Sequence, residues 1–291
     1  MEVFVPKVGG ELVLPWEPLT IMPIGDIQYA GPDGTADLGR LQRHITWGVE
    51  HGCHFLGMGD YVDFLSPSNR QRLKQADLYD TASLVIEQAA TALEQKIMDI
   101  LAPTRGRWLG LVEGHHYFVH LDGATTGQHL AEFLGCTYGG DSMLMRLTFR
   151  QKVGAGSRGL NSTLFVHHGH GSSTAPGGPL TRLVKLTAYI DAQVFFLGHY
   201  HQVMVYPFDQ LTVTQRGVPK LYHTTRAIVL TGSFMRGWMQ GNQIGGRPKG
   251  SYVEQGLMPP AALGGPLVTL TPRRIFQEGS EVLLVDIRGS V

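Results

Sequence analysis

Cysteine is scarce: Cys53 and Cys136 are the only two in 291 residues. Two thiols are too few for a disulfide scaffold and fit a reducing, cytoplasmic setting. Long apolar runs are missing too. No stretch approaches the roughly 18 residues of a membrane-spanning helix. The opening MEVFVPKVGGELVLPW has no basic segment followed by an apolar one. Neither a membrane span nor a signal peptide is therefore expected. Charge is sparse and balanced, with 24 basic and 24 acidic residues making up 16% of the chain. No basic tail announces nucleic acid, although a local basic patch can still form on folding. Internal repeats, low-complexity tracts and clear linkers are also lacking.

What is present is core material, 43% hydrophobic residues, and an unusual stock of 13 histidines. Seven of these fall in three clusters: His115-His116, His167-His168-x-His170 and His199-x-His201. The first half alternates strand and helix signals. LTIMPIGD (19–26) and HFLGMGD (54–60) are apolar runs that end in Gly-Asp, and RWLGLVEGHH (107–116) ends in histidines. Between them, Leu38, Leu41, Ile45 and Val49 recur at helical spacing. A helix near 80–101 carries Val85, Ala89, Leu93, Ile97 and Leu101 on one stripe. Strands alternating with helices imply βαβ units and a largely parallel sheet. Ligands collect outside the carboxyl ends of such strands.

Farther on, a helix is expected near 125–134 and strands at 142–149 and 163–168. A helix over PLTRLVKLTAYIDA then leads to the strand QVFFLGHYH. QKVGAGSRGLNS reads as a hairpin loop. Beyond residue 202 the pattern is strands and turns, interrupted by a Gly/Pro-rich stretch at 236–266 with a short helix at SYVEQG. Long loops of this kind are often functional. The chain reads as a single domain over 1–291, with a site-bearing core at about 20–205 and a strand-rich C-terminal part.

The polar residues at strand ends are Asp26, Gln28, Asp60, Asp63, His115, His116, His167, His168, His199 and His201. Carboxylates with imidazoles suit divalent ions of borderline softness: Mn, Fe, Zn, Co or Ni. Two such ions, bridged by one carboxylate, can clamp a phosphoryl group for in-line attack by hydroxide. A neighbouring imidazole can protonate the leaving oxygen.

In order and spacing, DIQ (26–28), GDYVD (59–63), GHHY (114–117), HHGHG (167–171) and GHYH (198–201) resemble the motifs of the calcineurin-like metallophosphoesterase superfamily. The resemblance covers about residues 20–205, and TGSF (231–234) adds to it. It implies an α/β fold, a four-layer α/β/β/α sandwich of two mixed sheets. It also implies residue roles. Asp60 would bridge two metals, Asp26 and His201 would hold the first, and His199 and His168 the second, with His167 the rival to His168. His116 would contact the phosphate and assist the leaving group, and Asp63 would orient a ligand or loop. Two positions depart from the motif. Gln28 stands where the family has a histidine ligand, and a harder amide oxygen there favours Mn. His115 stands where the family has an asparagine ligand. A one-metal site is thus the alternative to a two-metal site.

The expected activity is metal-dependent hydrolysis of a phosphate ester, most simply a phosphodiester, by a metal-bridging hydroxide. A DNA or RNA nuclease and a non-catalytic, metal-poor scaffold are the alternatives. Arg236, Arg247 and Lys249 could edge a substrate cleft, and Trp238 and Tyr252 could stack on substrate or pin the loop. Arg182 and Lys185 read as a solvated face, His170 as a loop residue near the site. His44, His51, His54, His120, His129 and His223 read as structural or surface.

Overall fold

Val194-Phe195-Phe196-Leu197 is apolar at every position, and such a strand needs cover on both faces. It has that cover: Phe196 enters a core between two sheets, while Phe195 and Leu197 enter another beneath a helix. The computed structural model describes residues 8–291 apart from 33, 77, 152–158, 172–174, 176, 214–217, 220, 242, 245–246 and 278–279. The expected hairpin loop lies largely outside the described residues, and so does the side chain of Tyr252.

The elements run β1 (Val8–Pro15), β2 (Leu19–Ile24), α1 (Leu38–Glu50), β3 (His54–Gly57), α2 (Pro67–Gln75), α3 (Asp80–Leu101) and β4 (Trp108–Leu111). Next come α4 (Thr126–Leu134), β5 (Ser142–Arg150), β6 (Gly159–His167), α5 (Gly177–Leu186), β7 (Val194–Leu197), β8 (Val203–Val213) and β9 (Leu221–Thr231). The chain ends with β10 (Gln243–Ile244), β11 (Arg247–Pro248), α6 (Tyr252–Gln255), β12 (Leu267–Gln277) and β13 (Ser280–Ser290). Among the described residues, one sheet has the order β1-β5-β6-β7-β9-β8 and a second the order β13-β12-β2-β3-β4. Both are mixed. β2, β3 and β4 are parallel, as are β6, β7 and β9, while β12 and β8 run antiparallel to their neighbours β2 and β9.

The sheets face each other. Ile21, Leu56 and Leu109 of one meet Met145, Val166, Phe196 and Val229 of the other in a shared core. Alternate residues point outward, as the two-residue period of a strand requires. Met22, Ile24 and Phe55 pack under α1, α3 and α4, and Ile228 and Leu230 pack near Leu183 of α5. The result is the expected α/β/β/α layering. Full burial of side chains such as Phe149 and Phe196 contributes roughly 1.5–3 kcal/mol each.

Two local expectations shift. In α3 the buried face is Ala90, Glu94, Ile97 and Leu101, so Val85 is exposed and a carboxylate takes a core position. α5 ends at Leu186, and the rest of the expected helix is turn. β1 and α2 carry no expectation from sequence. β1 is added in parallel at the edge of the larger sheet, and α2 is a polar helix with no buried residue, capped by the Ser66 hydroxyl.

Candidate metal centre

Each strand that the cores bury on both sides ends in a residue a core cannot use. β2 leads to Asp26 and Gln28, β3 to Asp60 and Asp63, β4 to His115 and His116, β6 to His168, and β7 to His199 and His201. Their backbones turn in an unusual way. Asp26, Gln28, Asp60, His199 and His201 have φ of 46°, 49°, 52°, 69° and 54°, and Leu257 is the only other non-glycine residue with positive φ among the described residues. A side chain in this region costs of order 1–3 kcal/mol and persists only where surrounding structure enforces it. Here the ladders enforce it. The Asp26 and Gln28 N–H groups donate to Gly59 and Asp60 carbonyls at 2.9 Å, and the Asp26 carbonyl accepts from the Phe234 N–H and the Ser233 hydroxyl.

Four side chains form one cluster. Asp60, His115, His168 and His199 each offer a ligand atom, all within 4.8 Å of one another. Asp60 Oδ1 accepts from the backbone N–H groups of His115 and His116 at 2.5 and 3.0 Å, which leaves Oδ2 turned to the cluster. Gly114 makes this approach possible, because a Cβ there would overlap Asp60 Oδ1 and the Asp60 nitrogen. His168 donates from Nδ1 to the Met58 carbonyl at 2.7 Å, and its Nε2 lies 3.2 Å from Asp60 Oδ2. His199 donates from Nε2 to the Gly171 carbonyl at 2.6 Å, and a neutral ring bound this way keeps its lone pair on Nδ1. A carbonyl on the far nitrogen is how metal-binding imidazoles are held in one tautomer. His168, not His167, faces Asp60; His167 Nδ1 instead accepts from the Gly169 N–H at 2.7 Å.

The remaining residues meet beside this cluster. Asp26 Oδ2 accepts from the His199 N–H at 2.9 Å. Asp26 Oδ1 lies 3.3 Å from His201 Nε2, and the Gln28 amide lies 3.4 Å from the same nitrogen. Asp26 Oδ1, Asp60 Oδ2 and His168 Nε2 are buried, and none has a partner in hydrogen-bond geometry. Buried polar atoms whose hydrogen bonds are unmade are costly, and these three, paired only as ions at 3.2–3.3 Å with one another or with His201, leave room for a ligand. Two carboxylate oxygens and imidazole nitrogens fit a divalent cation of the Mn–Zn range.

The proton affinities agree. Burial pushes the His115 ring down to about 4, helped by the charge of His168, so it stands as a neutral donor. Burial likewise lowers His199. His168 goes the other way. Burial opposes its charge, yet the Asp60 carboxylate outweighs burial and raises it to about 9. Burial would raise Asp60, but His168, His116 and the backbone N–H bonds hold it below the usual carboxylate range. A bound cation would take the place of the His168 proton.

His116 lies outside the cluster. Its Nδ1 bonds Asp63 Oδ1 at 2.7 Å, which orients the ring and, against burial, raises its pKa. Both residues line a cavity of about 360 Å³, together with Gln28, Tyr200 and His201. Its far wall comes from the Gly/Pro-rich segment: Gly237, Val253, Met258, Pro259, Pro260 and Ala261. No lysine or arginine is among the described lining residues. Arg236 turns to Asp37 at 3.9 Å, and Arg247 and Lys249 are exposed. Trp238 pins the loop, donating from Nε1 to the Met258 carbonyl at 3.0 Å.

Sequence reasoning missed Glu113, the buried residue between β4 and the histidine pair. It accepts from the Thr125 hydroxyl, the Gly127 N–H and the Tyr138 hydroxyl, and so ties the end of β4 to the N-terminus of α4. Its place directly before Gly114-His115 was the available signal. Ser233, bonded to the Asp26 carbonyl, was visible only as part of TGSF.

No family model matches this chain, and a search of curated proteins finds no relative. Solved structures do show likeness. Wild-type Vps29 from Entamoeba histolytica, complexed with Zn²⁺, aligns with a TM-score of 0.39 at 12% identity, over 92% of this chain and 99% of that one. A double mutant of the same Vps29 gives 0.35 at 13% identity, over 93% and 99%. A conserved uncharacterized protein of Streptococcus pneumoniae TIGR4, described as a predicted phosphoesterase, gives 0.33 at 11% identity, over 92% and 98%.

Proposed function

We propose that this chain hydrolyses a phosphate ester, most simply a phosphodiester, at a site that binds two divalent cations. The observation that carries the reading is the convergence of buried Asp26 Oδ1, Asp60 Oδ2 and His168 Nε2, none in hydrogen-bond geometry, beside neutral His115 and His199. Asp60, His115, His168 and His199 would hold one ion. Asp26, Gln28 and His201 would hold the other, with Asp60 shared. Bound cations would polarise a phosphoryl oxygen and make a water acidic enough to attack near neutral pH. The hard amide oxygen of Gln28 favours Mn²⁺ in its half.

The side chains supply the rest. His116, held through Nδ1 by Asp63, lines the cavity, and its free Nε2 would pass a proton to the leaving oxygen. The apolar wall of Val253, Met258 and Pro259 offers cover to an uncharged ester arm. Long polyanions gain most of their affinity from cationic side chains, which the described lining lacks, so a small phosphodiester is favoured over nucleic acid.

The test is hydrolysis of bis(p-nitrophenyl) phosphate by purified protein, with Mn²⁺ and with chelator. Turnover that chelator abolishes, and that falls in His116→Gln while metal content stays unchanged, is the expected result. A protein that retains no divalent ion and turns over no ester would overturn the reading in favour of a metal-poor scaffold.

A further inference from the structure

α3 places a carboxylate, Glu94, where its apolar stripe should continue. Two histidines meet it. His120 Nε2 lies 2.9 Å from Glu94 Oε2, and His129 Nδ1 lies 2.9 Å from Glu94 Oε1. Each ring is held from behind by a second carboxylate: His120 Nδ1 by Glu87 at 2.9 Å and His129 Nε2 by Asp122 at 2.9 Å. Those outer carboxylates are anchored in turn. Glu87 accepts from the Leu121 N–H at 3.2 Å and Asp122 from the Ala124 N–H at 2.8 Å. The five side chains join α3, α4 and the loop between β4 and α4. Glu94 and His120 are buried, and His129 keeps 23% of its side chain exposed.

Every imidazole nitrogen in this ladder faces a carboxylate oxygen. An ionised carboxylate only accepts, so each outer bond takes the proton on the ring nitrogen that faces away from Glu94. A divalent cation between Glu94 and the two inner nitrogens would keep both outer hydrogen bonds. The outer bonds then fix His120 as an Nε2 ligand and His129 as an Nδ1 ligand, the arrangement in which carboxylates support metal-binding histidines. One ligand atom from each of Glu94, His120 and His129 falls within a 4.8 Å group. Tetrahedral ligands about 2.1 Å from an ion sit roughly 3.4 Å apart, so the two inner contacts need open by only about half an ångström.

We propose that Glu94, His120 and His129 form a further cation site of the zinc class, separate from the centre at the strand ends, with solvent completing the coordination beside His129. Its ion would clamp α3 to α4 and to the loop that follows His116. One carboxylate with two imidazoles is a borderline-soft set, which selects Zn²⁺ over Mg²⁺ or Ca²⁺.

The test disables the shared ligand of the strand-end centre and compares zinc content with and without His129. Asp60→Asn is dialysed against chelator and titrated with Zn²⁺, and zinc is measured after gel filtration. Zinc should be retained and raise the melting temperature, and adding His129→Gln to Asp60→Asn should lose one further equivalent together with that rise. The partial exposure of His129 makes its replacement compatible with folding, which circular dichroism checks. Zinc content unaltered by His129→Gln, or no zinc retained by Asp60→Asn, would overturn the assignment.

Discussion

Gly114→Ala is the most demanding test of the strand-end geometry, because it changes no ligand. An alanine Cβ at this position would overlap the nitrogen and Oδ1 of Asp60, and Asp60 is itself only 2% exposed. Neither atom belongs to the free end of a flexible side chain, so the turn after β3 and the turn after β4 must separate. Overpacking of this kind costs about 1–3 kcal/mol. For a chain of this length that is a fall of about 2–6 °C in melting temperature. Separation also stretches the bonds from the His115 and His116 N–H groups that fix which Asp60 oxygen faces the cluster. Losing such orienting partners weakens metal binding by about 10–100-fold. The assay pairs a thermal melt of the chelated protein with a Mn²⁺ or Zn²⁺ titration. Gly177→Ala is the control, because a Cβ there meets nothing within 4 Å and the residue begins α5. It should be neutral or slightly stabilising. Wild-type melting and wild-type metal affinity in Gly114→Ala would refute the reasoning.

Three further outcomes are expected. Burial, with the charge of Arg40, lowers the His44 pKa, so below pH of about 6.5 the unfolded chain binds more protons than the folded one and stability falls with pH. His44→Leu should lose less melting temperature than wild type between pH 7 and pH 5, and parallel profiles would contradict this. Burial raises the Cys53 thiol and pushes Cys136 up to about 12, so Ellman's reagent at pH 8 should label neither quickly in the native protein and both in denaturant; rapid native labelling would show the burial to be wrong. Trp238→Phe loses the bond to the Met258 carbonyl and should speed proteolytic cleavage within 236–266, while unchanged cleavage would mean the loop is held by other contacts.

The strands of the two cores were readable because residues such as Phe195-Phe196 are apolar on both faces, a pattern few other structures produce. The residues at their ends were readable because a core gives Asp26 or His199 nothing to do. Tertiary partnership was not readable. The α3 stripe reads through Leu93 because a carboxylate is ordinarily turned to water, and the contacts with His120 of the loop before α4 and with His129 of α4 hold Glu94 inward. α2 escaped because its sequence, PSNRQRLKQ, buries nothing and so has no apolar period. β1 escaped because its two glycines and one glutamate mask a strand that pairs only at a sheet edge. Of the cations at Arg236, Arg247 and Lys249, none is among the described residues lining the cavity; Arg236 faces Asp37, and the other two are exposed.

The left-handed backbones of Asp26, Gln28, Asp60, His199 and His201 set stability against use. Glycine would occupy any of these positions with less strain. A descendant of this chain with no ion to bind would therefore gain thermal tolerance by drifting toward glycine at the strand ends. Gln28→Gly is the simplest such step, since the Gln28 N–H bond to the Asp60 carbonyl would survive it. Selection for heat resistance alone should thus erode the centre first and leave both sheets standing.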